Sequence, residues 1–292
     1  MWIFLAVLSA LLLGVYDIFK KLSVNGNNVL TVLLYNTFFG ALIMSPIVVM
    51  GIIDDTPVLG GDATGHLRIL GKSAIVLSAW IMGYFGIKRL PLTITGPISA
   101  TRPLMVLVGA MLVFGEQLNL LQWIGVLLGV VSLFYINKVG AREGVSFKSA
   151  SLILCLGSAV MGAVSGLYDK YLLRLYEPMQ VQAWYSLYQF VIMGVTIFII
   201  KRAVPVAGNT PFQFRWTIPC IALFLTLADL AYFYALSQPS SLISVVSMTR
   251  RCSIIVPFFY GIFALKEKNA RLKTVDLLIL LTALGFLVAG SR

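Results

Sequence analysis

Long apolar runs separated by short polar connections dominate this chain of 292 residues. Each run is about as long as a helix that crosses a bilayer, which needs roughly 20 residues. The runs are continuously apolar and lack the alternation of a lipid-facing β-strand, so we predict helices. They cover residues 2–22, 29–52, 69–87, 92–114, 120–137, 149–171, 179–200, 216–236, 240–264 and 273–290. The pattern therefore predicts an all-α polytopic membrane protein with about ten transmembrane helices.

The composition agrees with this class. Hydrophobic residues make up 59% of the chain and charged residues 11%, and the mean hydropathy is +0.94. These values lie outside the usual range of soluble globular domains. We therefore expect the lipid bilayer to be the main surroundings of the protein, as a multi-pass protein of the inner (plasma) membrane.

Two motifs occur twice, each time about 150 residues apart, which is typical of an internal duplication. Gly14–Asp17 (GVYD) recurs as Gly166–Asp169 (GLYD). A second motif of aromatic, proline, serine and arginine residues runs from Tyr84 to Arg102 and recurs from Tyr232 to Arg250. We predict two five-helix repeats, residues 1–138 and 149–292, joined by a cytoplasmic linker at 139–148. Because each repeat has an odd number of helices, their topologies should be inverted, as alternating access commonly requires.

The net charge of +11 raises the question of a nucleic-acid partner. The basic residues are scattered over short loops, and no basic helix or aromatic-rich polar sheet is apparent, so we expect no nucleic-acid binding. Most of these residues flank one set of connections. The positive-inside rule places that set in the cytoplasm and both termini outside.

Three arginines lie near the middle of predicted spans four and nine, where an arginine costs about 2.5–3.5 kcal/mol on insertion scales. Arg102 continues a stripe with Thr95 and Ser99, and Arg251 continues one with Ser247, at helical spacing. One hypothesis is that these arginines bind an anionic substrate through their planar donor groups. The alternative is that buried carboxylates neutralise them. The predicted substrate-binding residues are Arg102, Arg251, Arg250, Ser99, Ser247, Trp80, Tyr84 and Tyr232.

Three carboxylates in the predicted spans are candidates for proton coupling or for charge pairing: Asp17, Asp169 and Asp229. Asp17 is followed by Lys20 and Lys21, so a local ion pair also explains it. Asp229 has no basic residue nearby in the sequence, which makes it the better proton carrier unless it pairs with an arginine. Prolines 97, 103 and 257 predict helix kinks in spans four and nine.

The repeated motifs resemble those of the drug/metabolite transporter superfamily, specifically its EamA-type members with ten helices. The similarity rests on Tyr84-Phe85, Leu90-Pro91, Pro103 and Phe114-Gly115-Glu116, repeated as Tyr232–Leu236, Pro239, Pro257 and Leu265-Lys266-Glu267. The resemblance implies a secondary transporter, most often an exporter of amino acids or other small metabolites, with a cavity between the two halves. The central arginines are more similar to the basic residues of the superfamily's organic-phosphate and nucleotide-sugar branches.

We therefore expect a secondary active transporter that moves a small polar metabolite, an amino acid, organic anion or phosphorylated metabolite, by alternating access and in the direction of efflux. The alternative is a flippase or an accessory subunit for a lipid-linked substrate, because fold alone does not settle function. An enzyme is not expected, since the chain has one histidine, His66, and no metal-ligand cluster or nucleophile motif. We expect no cofactor and no metal, and the sequence leaves a monomer and a homodimer both open.

Overall fold

The computed structural model describes residues 2–53, 63–102, 105–106, 119–142, 150–172, 175–203, 211–237, 249–250, 252–267 and 269–290. These ranges contain helices, turns and connections but no β-strand. Ten α-helices are present in them: α1 (Trp2–Val24), α2 (Val29–Ile53), α3 (Ala63–Arg89), α4 (Leu92–Ala100), α5 (Leu120–Arg142), α6 (Ala150–Leu172), α7 (Pro178–Ala203), α8 (Thr217–Ser237), α9 (Ile255–Phe263) and α10 (Ala270–Gly290). The prediction of an all-helical chain is confirmed.

Within the described ranges, five segments have the length and apolar composition to cross a membrane: Val29–Met50, Ala63–Arg89, Ala150–Asp169, Met179–Ile199 and Ala270–Gly290. Large apolar side chains point outward from the bundle, among them Phe134 and Phe198, which are 67% and 57% exposed. Soluble proteins rarely expose so much apolar surface, whereas lipid accepts it. The helices therefore fit a polytopic membrane protein.

The third helix differs in length from the predicted span. It begins at Ala63, whereas the apolar run begins at residue 69. The added turns hold His66, whose Nδ1 lies 2.7 Å from the Tyr188 hydroxyl oxygen, and Arg68, which donates to the Tyr176 hydroxyl over 3.1 Å. Polar residues at the end of an apolar run can thus remain helical because side chains of α7 and its preceding turn provide their partners.

The fourth and ninth predicted spans are described only in part. Helix α4 ends at Ala100, Thr101 and Arg102 follow it, and most of the remainder up to residue 114 lies outside the described residues. Around span nine, a 3₁₀ turn at Cys252–Ile254 precedes α9. Pro257 has no N–H for the carbonyl four residues earlier, which agrees with a tighter turn at this point. Pro97 lies inside α4, and Pro103 lies outside the described residues.

The most extensive helix contacts in the described ranges join the first half of the chain to the second. They are formed by the pairs α1–α8, α3–α6, α5–α10 and α2–α7, followed by α3–α7 and α2–α8. The core of the molecule is therefore the interface between the two halves. Any cavity that lies among these helices is lined by residues of both.

Candidate functional site

A polar cleft opens between α1, α3, α4, α6 and α9. Its empty volume is about 410 Å³, including the open mouth. We call it the arginine cleft and define it by its polar side chains, which are Asp17, Lys20, Thr95, Ser99, Arg102 and Ser158. The predicted stripe of Thr95, Ser99 and Arg102 thus faces a single cavity.

The Arg102 guanidinium lies against α6. One terminal nitrogen, NH2, donates to Ser158 Oγ over 3.3 Å, whereas the buried Nε has no hydrogen-bond partner among the described residues. Gly162 makes this approach possible, because a Cβ at that position would lie 2.8 Å from both Cζ and Nε of the arginine. The guanidinium is therefore held in place while part of its hydrogen-bonding capacity is unused.

Ser158 fixes the acceptor that Arg102 uses. Its Oγ donates to the backbone carbonyl oxygen of Ala79 over 2.7 Å, and the residue is 4% exposed. Because the hydroxyl proton is engaged with α3, the oxygen lone pairs remain for the arginine. Ser158 of α6 thus joins α3 and Arg102.

Lys20 brings a second positive charge to the cleft. Its ammonium lies 4.7 Å from the ring centroid of Tyr84 and 5.4 Å from that of Tyr16, at cation–π distance. Asp17 interacts electrostatically with both Lys20 and Arg102. Two cations and one carboxylate leave an excess of one positive charge, which favours an anion in this cleft.

Lys21, the next residue, has a different role. Its ammonium donates to the carbonyl oxygens of Ile87 and Leu90 over 2.7 and 2.6 Å. Those carbonyls lie at the end of α3, where helix carbonyls lack partners within the helix. The sequence alone cannot distinguish the two adjacent lysines, but in the structure one lines the cleft and the other caps a helix.

Arg250, the repeat counterpart of Arg102, forms a salt bridge with Asp229 of α8. Its guanidinium carbon also lies 4.4 Å from the ring centroid of Tyr232. The Tyr185 hydroxyl donates to the second carboxylate oxygen of Asp229 over 3.1 Å. Nε of Arg250 has no partner in the described residues either, but Asp229 already balances the charge of the guanidinium.

A second ion pair lies nearby. The Lys72 ammonium is 2.5 Å from a carboxylate oxygen of Asp169 and 4.6 Å from the ring centroid of Tyr185. Lys72 is 4% exposed, and the pair connects α3 with α6. Tyr185 therefore lies between two ion pairs, Lys72–Asp169 and Arg250–Asp229.

The structure brings part of the predicted substrate-binding set together. Arg102 and Ser99 line the arginine cleft, and Tyr84 is fully buried beneath Lys20. Arg250 and Tyr232 belong to the Asp229 network, and Trp80 lines a separate cavity. Arg251 and Ser247 lie outside the described residues. Among the predicted carboxylates, Asp17 lines the cleft, whereas Asp169 and Asp229 form ion pairs.

Glu267 has a position that its sequence motif did not predict. Its carboxylate accepts the backbone N–H groups of Leu92 and Thr93 over 2.8 and 3.2 Å, and it also accepts the Thr93 hydroxyl. The ammonium nitrogen of Lys273 lies 3.8 Å from Oε2 of the same carboxylate. A carboxylate at the first turn satisfies unpaired N–H groups and interacts favourably with the helix dipole. Glu267, in the second half of the chain, therefore caps α4, the helix that precedes Arg102.

The helices fit a multi-pass membrane protein, and the charged cleft is lined by residues from both halves of the chain. The family model described as "EamA-like transporter family" matches residues 1–138. The match covers the first 138 residues, and this part of the chain is similar to that family, which lies within the drug/metabolite transporter superfamily. The recognition made from the repeated motifs is confirmed.

The other comparisons concern curated proteins and solved structures. No curated protein matches this chain. Sixteen chains of solved structures do match. One of them, described only as "Crystal structure of protein", has a TM-score of 0.62 and 13% sequence identity over 98% of this chain and 94% of its own. At this identity the likeness concerns the fold alone.

Proposed function

We propose that the protein is a secondary active transporter that exports a small anionic metabolite, an organic anion or phosphorylated compound, across the inner (plasma) membrane. The observation that carries this proposal is the Arg102 guanidinium, which lines a cleft with excess positive charge and has an unpartnered Nε. An arginine in the hydrocarbon zone is costly unless it serves a pathway or a partner. Arg102 has a serine rather than a carboxylate as its described hydrogen-bond partner.

The chemistry of the cleft supports an anion over a neutral solute. A guanidinium can present parallel N–H groups to a carboxylate or phosphate, and charge-assisted hydrogen bonds of this kind are among the stronger ones. Lys20 adds a second cation. Ser99 and Thr95 supply hydroxyl groups on the same face of α4. A zwitterionic amino acid would also find Asp17, whose carboxylate can accept an ammonium group.

Alternating access between two inverted repeats is the mechanism that we propose. Exchanging α1 with α6, α2 with α7, α3 with α8 and α5 with α10 maps the six major helix contacts onto one another. The repeated glycines face corresponding segments of the opposite half. A Cβ at Gly14 would lie 2.6 Å from Val256 Cβ, and a Cβ at Gly166 would lie 3.6 Å from Val106 Cγ2. Such internal symmetry supports two related arrangements in which the halves exchange roles.

Proton coupling is the accompanying proposal. Asp17 lies in the cleft beside Arg102 and Lys20, so protonation of this carboxyl group would change the charge that a substrate meets. Asp229 is the second candidate, since substrate binding near Arg250 would compete with their ion pair. A gradient of protons could then drive transport through either carboxylate.

The test is transport into proteoliposomes of a labelled panel of organic acids, phosphorylated metabolites and amino acids, with and without a pH gradient. We expect Arg102→Ala to lower the transport of the anionic substrate about 10-fold to 150-fold, because a hydrogen bond to a charged group contributes about 1.5–3 kcal/mol. Arg102→Lys should keep the charge but lose the planar donor pair, and should recover only part of the activity.

Arg202→Ala is the matched control, because Arg202 is exposed at the end of α7 and lies over the Phe198 ring. It should transport as the unchanged protein does. Unaltered transport by Arg102→Ala, together with lower stability, would refute anion binding and favour a structural arginine. Transfer of a labelled lipid between leaflets without transport of soluble compounds would instead support the flippase alternative.

A further inference from the structure

A second cavity lies between α2, α3, α7 and α8, with an empty volume of about 310 Å³ that includes space open to the surroundings. It shares no lining residue with the arginine cleft. Three primary amides line it, those of Asn36, Gln182 and Gln189, and we call it the amide cavity. It is thus a separate polar space, formed by helices from both halves of the chain.

The three amides are deeply buried and incompletely hydrogen-bonded. Asn36, Gln182 and Gln189 are 2%, 1% and 2% exposed. Among the described residues, Oε1 of Gln182 and Nε2 of Gln189 have no hydrogen-bond partner, and neither polar atom of Asn36 forms a hydrogen bond of normal geometry, although its side chain lies beside the Tyr84 hydroxyl. Folded proteins leave few buried polar atoms without a partner, because an unmade hydrogen bond costs free energy. Four such atoms around one cavity indicate that something else occupies their hydrogen-bonding capacity.

The surroundings of the amides are polar but electrically balanced. The carboxylate in the lining is Asp229, which pairs with Arg250 and accepts the Tyr185 hydroxyl. Two of the lining hydroxyl groups are used locally, since Ser186 donates to the Gln182 carbonyl and Thr37 to the Leu34 carbonyl, both over 2.8 Å. The amides therefore provide the unused hydrogen-bonding groups.

We propose that the amide cavity binds an uncharged small molecule through hydroxyl or carboxamide groups. A primary amide offers both a donor and an acceptor, which matches groups that donate and accept at once. Trp80 adds an aromatic ring to the lining, and ligand sites typically combine such apolar surface with a few polar groups. A charged ligand would find no unbalanced charge in this cavity. The site does not depend on the transport proposed for the arginine cleft.

Fluorescence of Trp80 provides a direct readout in the full-length chain. The other four tryptophans are replaced by phenylalanine: Trp2, Trp123, Trp184 and Trp216. The purified protein is titrated with small polyols, ethylene glycol and glycerol, and, separately, with small primary carboxamides such as formamide and acetamide. We expect a saturable fluorescence change with one series, which identifies whether hydroxyl or carboxamide groups are bound.

Gln182→Leu should weaken this binding about tenfold or more, because the ligand loses one or two hydrogen bonds. The matched control is Gln180→Leu, the same change two residues earlier on α7, at an amide whose described hydrogen bond is an exposed one with Glu177. It should leave the affinity unchanged. If Gln182→Leu fails to fold, Gln189→Leu carries the same comparison.

A fluorescence change that does not saturate, or one that is equal in Gln182→Leu and in the control, would overturn the proposal and indicate that the cavity holds water only. Arg102→Ala separates this inference from the proposed transport of anions. It should impair transport yet preserve the Trp80 signal, because Arg102 does not line the amide cavity.

Discussion

Two arginines at corresponding positions of the repeated motif have different surroundings. Arg250 forms an ion pair with Asp229, whereas Arg102 donates to the neutral Ser158. A buried ion pair contributes little net stability, but an arginine without its carboxylate is strongly destabilising. Of these two arginines in the repeated sequence motif, Arg102 therefore retains more capacity for an external anion.

Gly162→Ala tests how closely the Arg102 position depends on its neighbour. The added Cβ would come within 2.8 Å of the guanidinium, so Arg102 must move away from Ser158. The guanidinium is the far end of a flexible side chain, so this shift costs little stability but takes the donor atoms out of their observed position. We expect anion transport to fall by a similar factor to that in Arg102→Ala, measured as initial rates in proteoliposomes.

The matched control for this prediction is Gly194→Ala in α7, where a Cβ would meet nothing within 4 Å. This change should leave transport intact and stabilise its helix by up to about 1 kcal/mol, because alanine is the better helix former. Normal transport by Gly162→Ala would show that the observed arginine position is not needed.

Variants of the Asp229–Arg250 pair can distinguish two roles of Asp229, charge balance and proton coupling. Asp229→Asn leaves Arg250 without its counter-charge, and we expect a loss of about 3 kcal/mol in the free energy of unfolding. The double variant Asp229→Asn/Arg250→Gln should regain most of it. Chemical denaturation in detergent measures this coupling.

Transport by the stable double variant then distinguishes the two roles. If Asp229 only balances charge, transport driven by a pH gradient persists. If it carries the proton, gradient-driven transport disappears while exchange of substrate for substrate remains. Equal instability of the single and double variants would contradict the ion-pair role itself.

Sequence periodicity predicts which residues share a helix face. The polar stripe of α4 and Arg102 could therefore be predicted from the sequence. Thr95, Ser99 and Arg102 follow helical spacing and do line one cleft. Which residue pairs across helices is not encoded in such spacing. Asp17 has two lysines within four residues, yet Lys21 turns to the α3 carbonyls and only Lys20 remains in the cleft.

At the level of helices, α4 is unusual because residues of the other half hold its first turn. Glu267 precedes α10 and accepts N–H groups at the start of α4. Its own segment is constrained, since Lys266 and Asn269 have positive φ angles of 50° and 56°. The segment Leu265-Lys266-Glu267, the counterpart of Phe114-Gly115-Glu116, carried a resemblance to a family but did not predict this contact, because capping by a distant carboxylate leaves no local pattern.

Glu267→Gln should destabilise the protein by about 1–2 kcal/mol, the usual range for losing a helix N-cap interaction. A glutamine retains one acceptor oxygen but loses the charge that faces the helix dipole and Lys273. Glu177→Gln is the control, an exposed glutamate whose substitution should stay within about 0.5 kcal/mol. Thermal unfolding in detergent compares the two, and equal melting temperatures would contradict the capping role.

Helix existence was well predicted from the apolar runs, whereas ends and interruptions were not. The start of α3 lies before its apolar run because His66 and Arg68 find tyrosine partners in another helix and its preceding turn. The 3₁₀ turn at Cys252–Ile254 interrupts a run that looked continuous. Both deviations depend on side-chain contacts and on the missing proline N–H, which hydropathy averages do not record.

At the scale of the whole molecule, two basic residues join connections at one end of the bundle. Lys88 donates to the Asn27 carbonyl over 2.8 Å, and Arg215 donates to the Leu22 and Asn25 carbonyls over 2.7 and 2.9 Å. These contacts unite connections that the positive-inside rule assigns to the cytoplasm. The beginning of α3 belongs to the opposite set of connections.

Single cysteines at the two ends test this orientation. In a background with Cys155, Cys220 and Cys252 replaced by alanine, Thr64→Cys should react with an impermeant maleimide in intact cells. Trp216→Cys, at a residue that is 84% exposed, should react only after the cells are permeabilised. The reverse labelling would place both termini in the cytoplasm.

The contact at Gly14 has a mechanical consequence. A Cβ there would lie 2.6 Å from Val256 Cβ and 2.7 Å from the Ser253 carbonyl oxygen, so α1 touches the first turn of α9 and the 3₁₀ turn before it with almost no clearance. If α1 tilted, this contact would be the pivot point. Asp17 lies less than one helical turn from it and would shift little. The far end of α1 at Trp2 lies about 18 Å from Gly14 along the helix axis, at 1.5 Å per residue, and would move the most.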